Sequence, residues 1–198
     1  MNNSTIQPTL VLASSSAYRR GLLSRLQIPF TWENPDINEA KINHESATDM
    51  VIRLAREKAK KIACDYPSSI IIGSDQVALL HDEILTKPGN YQNAVIQLQN
   101  CSNQSVIFKT GICVMNTANV TEQADCISFI VKFRKLESSE IDRYLEKEKP
   151  FNCAGSFKSE GLGISLIEYM QGDDPTALIG LPLIRLTEML RCEGMMLP

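Results

Sequence analysis

Two short polar stretches follow or interrupt apolar runs that are typical of buried strands. Residues 14–20 (SSSAYRR) come directly after the apolar residues 10–13, and residues 73–76 (GSDQ) interrupt a second apolar run. Hydroxyls and arginines at the start of a helix are suited to holding anions. A carboxylate in so apolar a run is costly to bury unless it has a partner or a function. We therefore expect phosphate binding at the first stretch and chemistry at Asp75.

Two cations occupy the apolar faces of predicted helices. Arg19 precedes three leucines at helical spacing, and Lys58 continues an apolar stripe through residues 51, 54, 55 and 62. A cation on an inward face is rare without an anionic partner, and a phosphate suits the guanidinium fork. Two alternatives stay open, because residues 14–16 could merely cap a helix and Lys58 could extend to the surface.

Further candidate residues lie in loops. Glu39 is a second acidic candidate, Lys87 is a cation in a turn, and residues 155–161 combine glycines with Lys158 and Glu160. Acids in loops and glycine-rich turns are often only solvated or structural. The cations are nevertheless numerous enough for a triphosphate, and the carboxylates could hold a divalent cation and orient a water molecule. Neither a P-loop nor a dinucleotide-binding glycine motif is present.

Strand and helix patterns alternate along the chain, which predicts an α/β or α+β fold. Strands are predicted at residues 9–13, 30–34, 69–73 and 76–80, and a long hairpin at residues 105–133. Helices are predicted at residues 16–26, 47–65, 90–100, 137–147 and 183–191. The polar residues 14–20 and 73–76 therefore lie at the ends of predicted strands, where α/β proteins commonly place their sites.

Length and composition are those of an ordinary globular enzyme. The 198 residues predict one domain, residues 1–198, and the net charge of −3 argues against a dedicated nucleic-acid binder. The six cysteines are scattered with no pair in CxxC spacing, and with only two histidines available the chain argues against a zinc site. The chain has no signal-peptide pattern and no apolar run long enough to cross a bilayer, so we expect a cytoplasmic protein without membrane contact.

The ordered set of motifs resembles the Maf family of nucleotide pyrophosphatases over nearly the whole chain. The matching segments are Leu12-Ala13-Ser14-Ser15-Ser16 with Arg19-Arg20, Arg53-Leu54-Ala55 with Lys58-Ala59, Gly73-Ser74-Asp75, Lys87-Pro88, Ser156-Phe157-Lys158-Ser159-Glu160-Gly161 and Gly180-Leu181-Pro182-Leu183. Gly-Ser-Asp-Gln together with residues 153–161 resembles the subgroup that hydrolyses 7-methyl-GTP. Ala17 and Thr86 depart from the family pattern, which has proline and glycine there, and neither change removes a charge.

The resemblance implies an elongated, two-lobed α/β fold of the Maf/ITPase-like type, with a twisted mixed β-sheet flanked by helices, and often a homodimer. It implies a hydrolase that uses a divalent cation, Mg²⁺ or Mn²⁺, in the attack of water on the α-phosphate and releases pyrophosphate. Asp75 matches the family's proton acceptor, and we expect the metal at Asp75 and Glu39. The expected phosphate-binding residues are Ser16, Arg19, Arg20, Lys58, Lys87 and Lys158.

Tyr18, Gln76 and Glu160 match positions that separate the subgroups by base preference. Methylation at N7 leaves guanine with a delocalised positive charge, which an aromatic ring attracts and a carboxylate balances. We therefore expect 7-methyl-GTP as the substrate. Two alternatives remain open: the same reaction on dTTP, UTP or a modified pyrimidine nucleotide, and a nucleotide-binding regulator of cell division without turnover.

Overall fold

The computed structural model describes residues 8–198, over which seven strands form one mixed sheet. These strands are β1 (Thr9–Ala13), β2 (Phe30–Glu33), β3 (Ser69–Leu80), β4 (Glu83–Leu85), β5 (Ser105–Asn116), β6 (Thr121–Phe133) and β7 (Ile167–Gln171). Their order is β2-β1-β3-β5-β6-β7, and the short β4 pairs with β3. Because β1 is parallel to β2 and β3 while β3, β5, β6 and β7 are antiparallel, the predicted mixed α/β fold is confirmed.

The same residues contain five α-helices and several short 3₁₀ turns. The helices are α1 (Ala17–Leu23), α2 (Ala47–Ala63), α3 (Tyr91–Cys101), α4 (Ser138–Glu148) and α5 (Leu183–Cys192). The 3₁₀ turns are Ser24–Leu26, Ala154–Ser156, Leu162–Leu166 and Ala177–Ile179. Among these helices none has the length and apolarity that a bilayer crossing requires.

Strand β3 is continuous, so the prediction of two separate strands at residues 69–73 and 76–80 is wrong. β5 pairs with it from Ile70 to Leu79 without an irregularity. The polar residues Ser74 and Asp75 are buried within the strand because hydrogen bonds or ion pairs satisfy both of them. Backbone pairing with a long neighbour outweighs the local break in the apolar pattern.

Side chains of β3 alternate between two covered faces. Ile71, Gly73 and Asp75 face α2, whereas Ile70 and Ile72 belong to the apolar cluster that contains α5. Asp75 and Gln76, the candidate site residues on this strand, therefore extend from opposite faces of the sheet.

Two glycines let the backbone of α2 approach the sheet closely. A Cβ atom at Gly73 would lie 2.0 Å from the carbonyl oxygen of Ala55, and one at Gly111 would lie 2.1 Å from that of Val51. Any side chain at these positions would push α2 away. The close contact brings the inward face of the helix, including Lys58, onto the middle of β3.

Candidate active site

A cavity of about 500 Å³ opens at one edge of β3. On this edge β1 pairs with β3 as far as Gly73, and β4 begins to pair at Ala78. Residues 74–77 lie in the gap between these two neighbours, and residues 75–77 border the cavity. Its lining includes ten of the eleven residues predicted from the sequence: Ser16, Tyr18, Arg19, Glu39, Lys58, Asp75, Gln76, Lys87, Lys158 and Glu160.

A lysine between two carboxylates forms one wall of the cavity. Lys58 Nζ lies 2.6 Å from Asp75 Oδ1 and 2.5 Å from Glu39 Oε1. The side chains of Lys58 and Asp75 are only 6% and 11% exposed, whereas Glu39 is 56% exposed. The inward lysine predicted from the helical spacing is thus buried and paired, and it does not extend to the surface.

Arg19 is held over the cavity by the start of its own helix and by a distant turn. Ser16 is the N-cap of α1 and accepts from the backbone N–H of Arg19 at 3.4 Å. The Arg19 Nε–H donates to the Gly180 carbonyl at 2.8 Å, and an Nη1–H donates to Ser14 Oγ at 3.4 Å. Ser14 and Ser16 therefore do cap and brace the helix start, while Ser16 and Arg19 also face the cavity.

The charges around the cavity affect one another. Burial tends to raise the pKa of Glu39, but its hydrogen bond to Lys58 and the positive charges of Lys58, Lys87 and Arg19 bring that pKa below its usual value. Burial lowers the pKa of Arg19 against the opposing charges of Asp75 and Glu39. A guanidinium stays protonated in proteins, so Arg19 presents positive charge to the cavity, which Lys58 and Lys87 also line.

Gln76 is fixed by its amide nitrogen. Nε2 donates to the carbonyl oxygens of Ala177 and Leu178 at 2.7 and 3.1 Å and lies 3.0 Å from Thr110 Oγ1. These contacts engage the amide nitrogen, so the side-chain oxygen is the atom left to accept a hydrogen bond from a ligand. Thr110 itself donates to Ala177, so the orientation of the amide is set by buried groups.

Tyr18 lines the cavity together with a second group of charged residues, Lys158 and Glu160. Its ring is 43% exposed, and Lys158 Nζ lies 5.9 Å from the ring centroid. Burial first, then the nearby groups Cys153 and Glu160, raise the pKa of Tyr18 above its usual value, so the phenol is neutral. Lys158 and Glu160 thus lie beside the residue expected to stack on a base.

Two predicted cations differ in their placement. Lys87 is exposed and lines the cavity, where its charge acts on Glu39. Arg20 does not line the cavity, because its guanidinium stacks on the Trp32 ring at 4.1 Å and donates to the Ser15 carbonyl at 2.7 Å. The structure therefore brings ten of the predicted site residues together and places Arg20 on the neighbouring surface.

The carboxylates of Asp75 and Glu39 fit a divalent cation. Asp75 Oδ1 and Glu39 Oε1 both contact Lys58 Nζ within 2.6 Å, so the two carboxylates lie together on one wall of the cavity, and each keeps its second oxygen for a metal ion. Mg²⁺ is usually held by one or two carboxylates together with substrate phosphates and water. Within residues 8–198 no group of three or more His, Cys, Asp or Glu side chains could hold a metal ion by itself. A metal ion bound by Asp75 and Glu39 would need further ligands from the substrate or from water.

Comparison with known proteins agrees with this arrangement. The model of the family described as "Maf-like protein" matches residues 9–193. The chain belongs to the Maf family. The resemblance inferred from the sequence motifs is therefore confirmed.

Several relatives of this Maf-family chain carry the name 7-methyl-GTP pyrophosphatase. The protein of Pseudomonas putida is 51% identical over 189 residues, which cover 96% of this chain and 98% of the relative. That of Pseudomonas savastanoi pv. phaseolicola is 52% identical over 191 residues, 96% of this chain and all of the relative. That of Alcanivorax borkumensis is 51% identical over 191 residues, 96% and 97% of the two chains.

Sequence reasoning missed Glu148 and Asp174 at this Maf-family site. Glu148 accepts from Lys158 Nζ at 2.7 Å, and the buried Asp174 accepts from the backbone N–H groups of Thr176 and Ile184 at 3.0 and 2.7 Å. Asp174 thereby holds the turn that presents Gly180 to Arg19. Glu148 follows Tyr144 at helical spacing on the inward face of α4, the same signal that identified Lys58.

Proposed function

We propose that this Maf-family protein is a nucleoside triphosphate pyrophosphatase that hydrolyses 7-methyl-GTP to 7-methyl-GMP and pyrophosphate. The observation that carries the proposal is the similarity, over 96% of this chain, to relatives named 7-methyl-GTP pyrophosphatase. The site agrees with it, because the lining of a cavity of about 500 Å³ combines the cations Arg19, Lys58 and Lys87 with the aromatic ring of Tyr18. A nucleoside triphosphate has the matching polarity, with anionic phosphates at one end and a flat base at the other.

Asp75 is the proposed proton acceptor. Water attacks the α-phosphorus, the bond from that phosphorus to the bridging oxygen of the β-phosphate breaks, and pyrophosphate leaves with the electron pair. The proton of the attacking water passes to Asp75. Lys58 donates to Oδ1 of Asp75, so Oδ2 is the atom that receives the proton.

The cations hold and neutralise the triphosphate. Arg19, Lys58 and Lys87 line the same end of the cavity as Asp75, and Ser16 lies at the helix start beside them. Fixed positive groups that offset developing negative charge are a large source of rate enhancement in phosphoryl transfer. Asp75 and Glu39 would hold a divalent cation there, which when bound polarises the α-phosphate.

The base is read by Tyr18, Glu160 and Gln76 in this proposal. The exposed Tyr18 ring offers a face for stacking on 7-methylguanine, with a cation–π contribution of about 0.5–2 kcal/mol. Glu160 would accept from the guanine Watson–Crick edge and balance the positive charge. The side-chain oxygen of Gln76 offers a further acceptor, because its nitrogen is engaged by Ala177 and Leu178.

The test is release of pyrophosphate from 7-methyl-GTP, GTP, dTTP, UTP and CTP with Mg²⁺ or Mn²⁺. We expect a preference for 7-methyl-GTP and a loss of at least about a hundredfold in kcat in Asp75→Asn, with binding retained. Asp82→Asn, an exposed acid in the turn after β3, is the matched control. Unchanged kcat in Asp75→Asn would refute its role as proton acceptor.

Other outcomes of the same panel select the alternatives. Preference for a pyrimidine nucleotide would keep the reaction and reject the base assignment. Tight binding without turnover of any nucleotide would favour the regulator. Tyr18→Ala should lower the preference for 7-methyl-GTP over GTP more than it lowers GTP hydrolysis, whereas Tyr18→Phe keeps the ring and should retain the preference.

The proposal also includes a homodimer in the cytoplasm. The homodimer follows from the family resemblance, and the cytoplasmic location is the expectation drawn from the sequence above. Light scattering on the purified protein tests the dimer, and fractionation of cells that express the tagged chain tests the location. A monomer at micromolar concentration, or recovery in the membrane fraction, would contradict the respective part.

A further inference from the structure

A lysine at the base end of the cavity poses an electrostatic problem for a cationic base. Lys158 Nζ lies 5.9 Å from the centroid of the Tyr18 ring, where the base is expected to stack. A free ammonium at this distance would repel a base that carries a positive charge and compete with it for the ring. The structure places a carboxylate directly behind that ammonium.

Glu148 is the carboxylate behind Lys158. Its Oε1 lies 2.7 Å from Lys158 Nζ, and its Oε2 accepts from the backbone N–H of Leu162 at 2.7 Å. The Glu148 side chain is only 11% exposed, so solvent screens this pair less than it screens a surface ion pair. Glu148 therefore neutralises Lys158 and also holds, through its bond to Leu162, the loop that carries Glu160.

The loop that contains residues 158–162 packs against the carboxylate of Glu148. A Cβ atom at Gly161 would meet Glu148 Oε2, so a side chain at this position would displace the carboxylate from where it now lies. Tyr144, on the same face of α4, accepts from the backbone N–H of Lys158 at 3.1 Å and donates to the Ser156 carbonyl at 3.2 Å. The position of Lys158 relative to Tyr18 is thus defined by α4.

The charges at this end of the cavity add up to a net negative value. Lys158 and Glu160, close to Tyr18, carry one positive and one negative charge, and Glu148 adds one negative charge against Lys158. With Glu148 the local charge is −1, which complements 7-methylguanine. Without it the lysine would cancel Glu160 and leave a neutral surround that favours the methylated base far less.

We propose that Glu148 is a positioning residue that sets the preference for a cationic purine, by neutralising Lys158 and leaving Glu160 in excess beside Tyr18. This inference rests on the proposed function, because it needs a nucleotide base in the cavity next to Tyr18. Glu148 acts through Lys158 and does not line the cavity itself.

The test is the ratio of kcat/KM for 7-methyl-GTP to that for GTP in a charge series. Glu148→Gln removes the charge but keeps an oxygen that can accept from Leu162, and we expect the ratio to fall about five- to tenfold. Lys158→Met should raise the ratio above that of the wild type. The double variant Glu148→Gln, Lys158→Met restores the net charge of −1 and should return the ratio to within about twofold of the wild type.

The ratio separates this role from a merely structural one. A loop that has lost its anchor would not be repaired by Lys158→Met, so failure of the double variant to restore the ratio would overturn the proposal. Any contribution of Lys158 to phosphate binding lowers kcat/KM for both nucleotides and leaves the ratio unaffected. Thermal unfolding of each variant verifies that the enzymes compared are folded.

Two failures remain distinguishable. A wild-type enzyme that uses GTP as readily as 7-methyl-GTP would overturn both the base assignment and this inference. A wild-type enzyme that prefers 7-methyl-GTP, together with an unchanged ratio in Glu148→Gln, would overturn this inference alone.

Discussion

Lys58 Nζ donates to Asp75 Oδ1 over 2.6 Å and so joins the inward face of α2 to the middle of β3. Both side chains are nearly buried, and each is the partner that makes the other's burial acceptable, because an unpaired buried charge is costly. The same ammonium contacts Glu39 of the preceding loop. One lysine therefore connects a helix, a strand and a loop at the wall of the cavity.

Lys58→Met should cost both stability and activity. Asp75 would lose its partner while still facing the cavity, so we expect the free energy of unfolding to fall by about 2 kcal/mol. We also expect most of the turnover to be lost, because a cation that offsets phosphate charge is gone. Urea unfolding and pyrophosphate release measure the two effects, with Lys60→Met, exposed on the same helix, as the control.

A double variant separates the two effects of Lys58. Lys58→Met combined with Asp75→Asn leaves no unpaired charge between α2 and β3. We expect it to recover stability relative to Lys58→Met while remaining inactive. Recovery of activity along with stability would mean that neither group takes part in the reaction.

Gly73→Ala should separate α2 from the sheet. The new Cβ would meet the Ala55 carbonyl oxygen at 2.0 Å, so the helix must move and Lys58 must move with it. We expect a loss of about 1–3 kcal/mol in unfolding free energy and a fall in kcat. Gly21→Ala is the matched control: it lies in α1 with no atom within 4 Å of its Cβ and should be neutral or stabilising. Equal stability of the two variants would contradict the close packing.

Removal of divalent cations should abolish turnover. Asp75 and Glu39 lie together on one wall of the cavity, each with a carboxylate oxygen beyond the one that contacts Lys58, so we expect EDTA to stop pyrophosphate release and added Mg²⁺ or Mn²⁺ to restore it. Glu39→Gln should raise the metal concentration needed for half-maximal activity several-fold, roughly as expected for the loss of one ligand. Glu168→Gln, an exposed acid on β7, should not. Full activity in EDTA would reject the metal ligands.

The ion pair of Glu140 makes the stability of the folded protein depend on pH. A hydrogen bond from Arg134, followed by one from the Glu137 backbone, lowers the pKa of Glu140 from 4.5 to about 2. Because the pKa is depressed in the folded state, the stabilisation is present above pH 4.5 and is lost as the pH falls through about 2. The difference in Tm between the wild type and Glu140→Gln should therefore shrink over this range. Glu146→Gln, exposed on the same helix, is the control, and a difference that is constant with pH would contradict the ion pair.

Much of the architecture was predictable because local patterns report local structure. The apolar stripe of residues 47–65 predicted α2 and the inward direction of Lys58, and the polar turn after residue 116 predicted the β5–β6 hairpin. The prediction of two strands in place of β3 was wrong. The sequence around Ser74 and Asp75 is polar, but pairing with the long neighbour β5 keeps the strand continuous.

Most of the residues that line the cavity could also be predicted from residue types and their spacing. Arg19, Lys58 and Asp75 each interrupt an apolar pattern, which indicates a buried charged residue with a functional role. Arg20 follows the same motif but stacks on Trp32, because successive residues on a helix point in different directions.

The sequence by itself determined the family, the elements and the charged residues that the elements turn inward. Only the tertiary structure decided how those charges are paired: Lys58 with both Asp75 and Glu39, and Lys158 with Glu148 and not with Glu160. The reason is physical. The periodicity of a helix or strand follows from its own local backbone geometry, whereas ion pairs depend on how closely separate elements approach, and here glycines at positions 73 and 111 set the approach of α2 to the sheet.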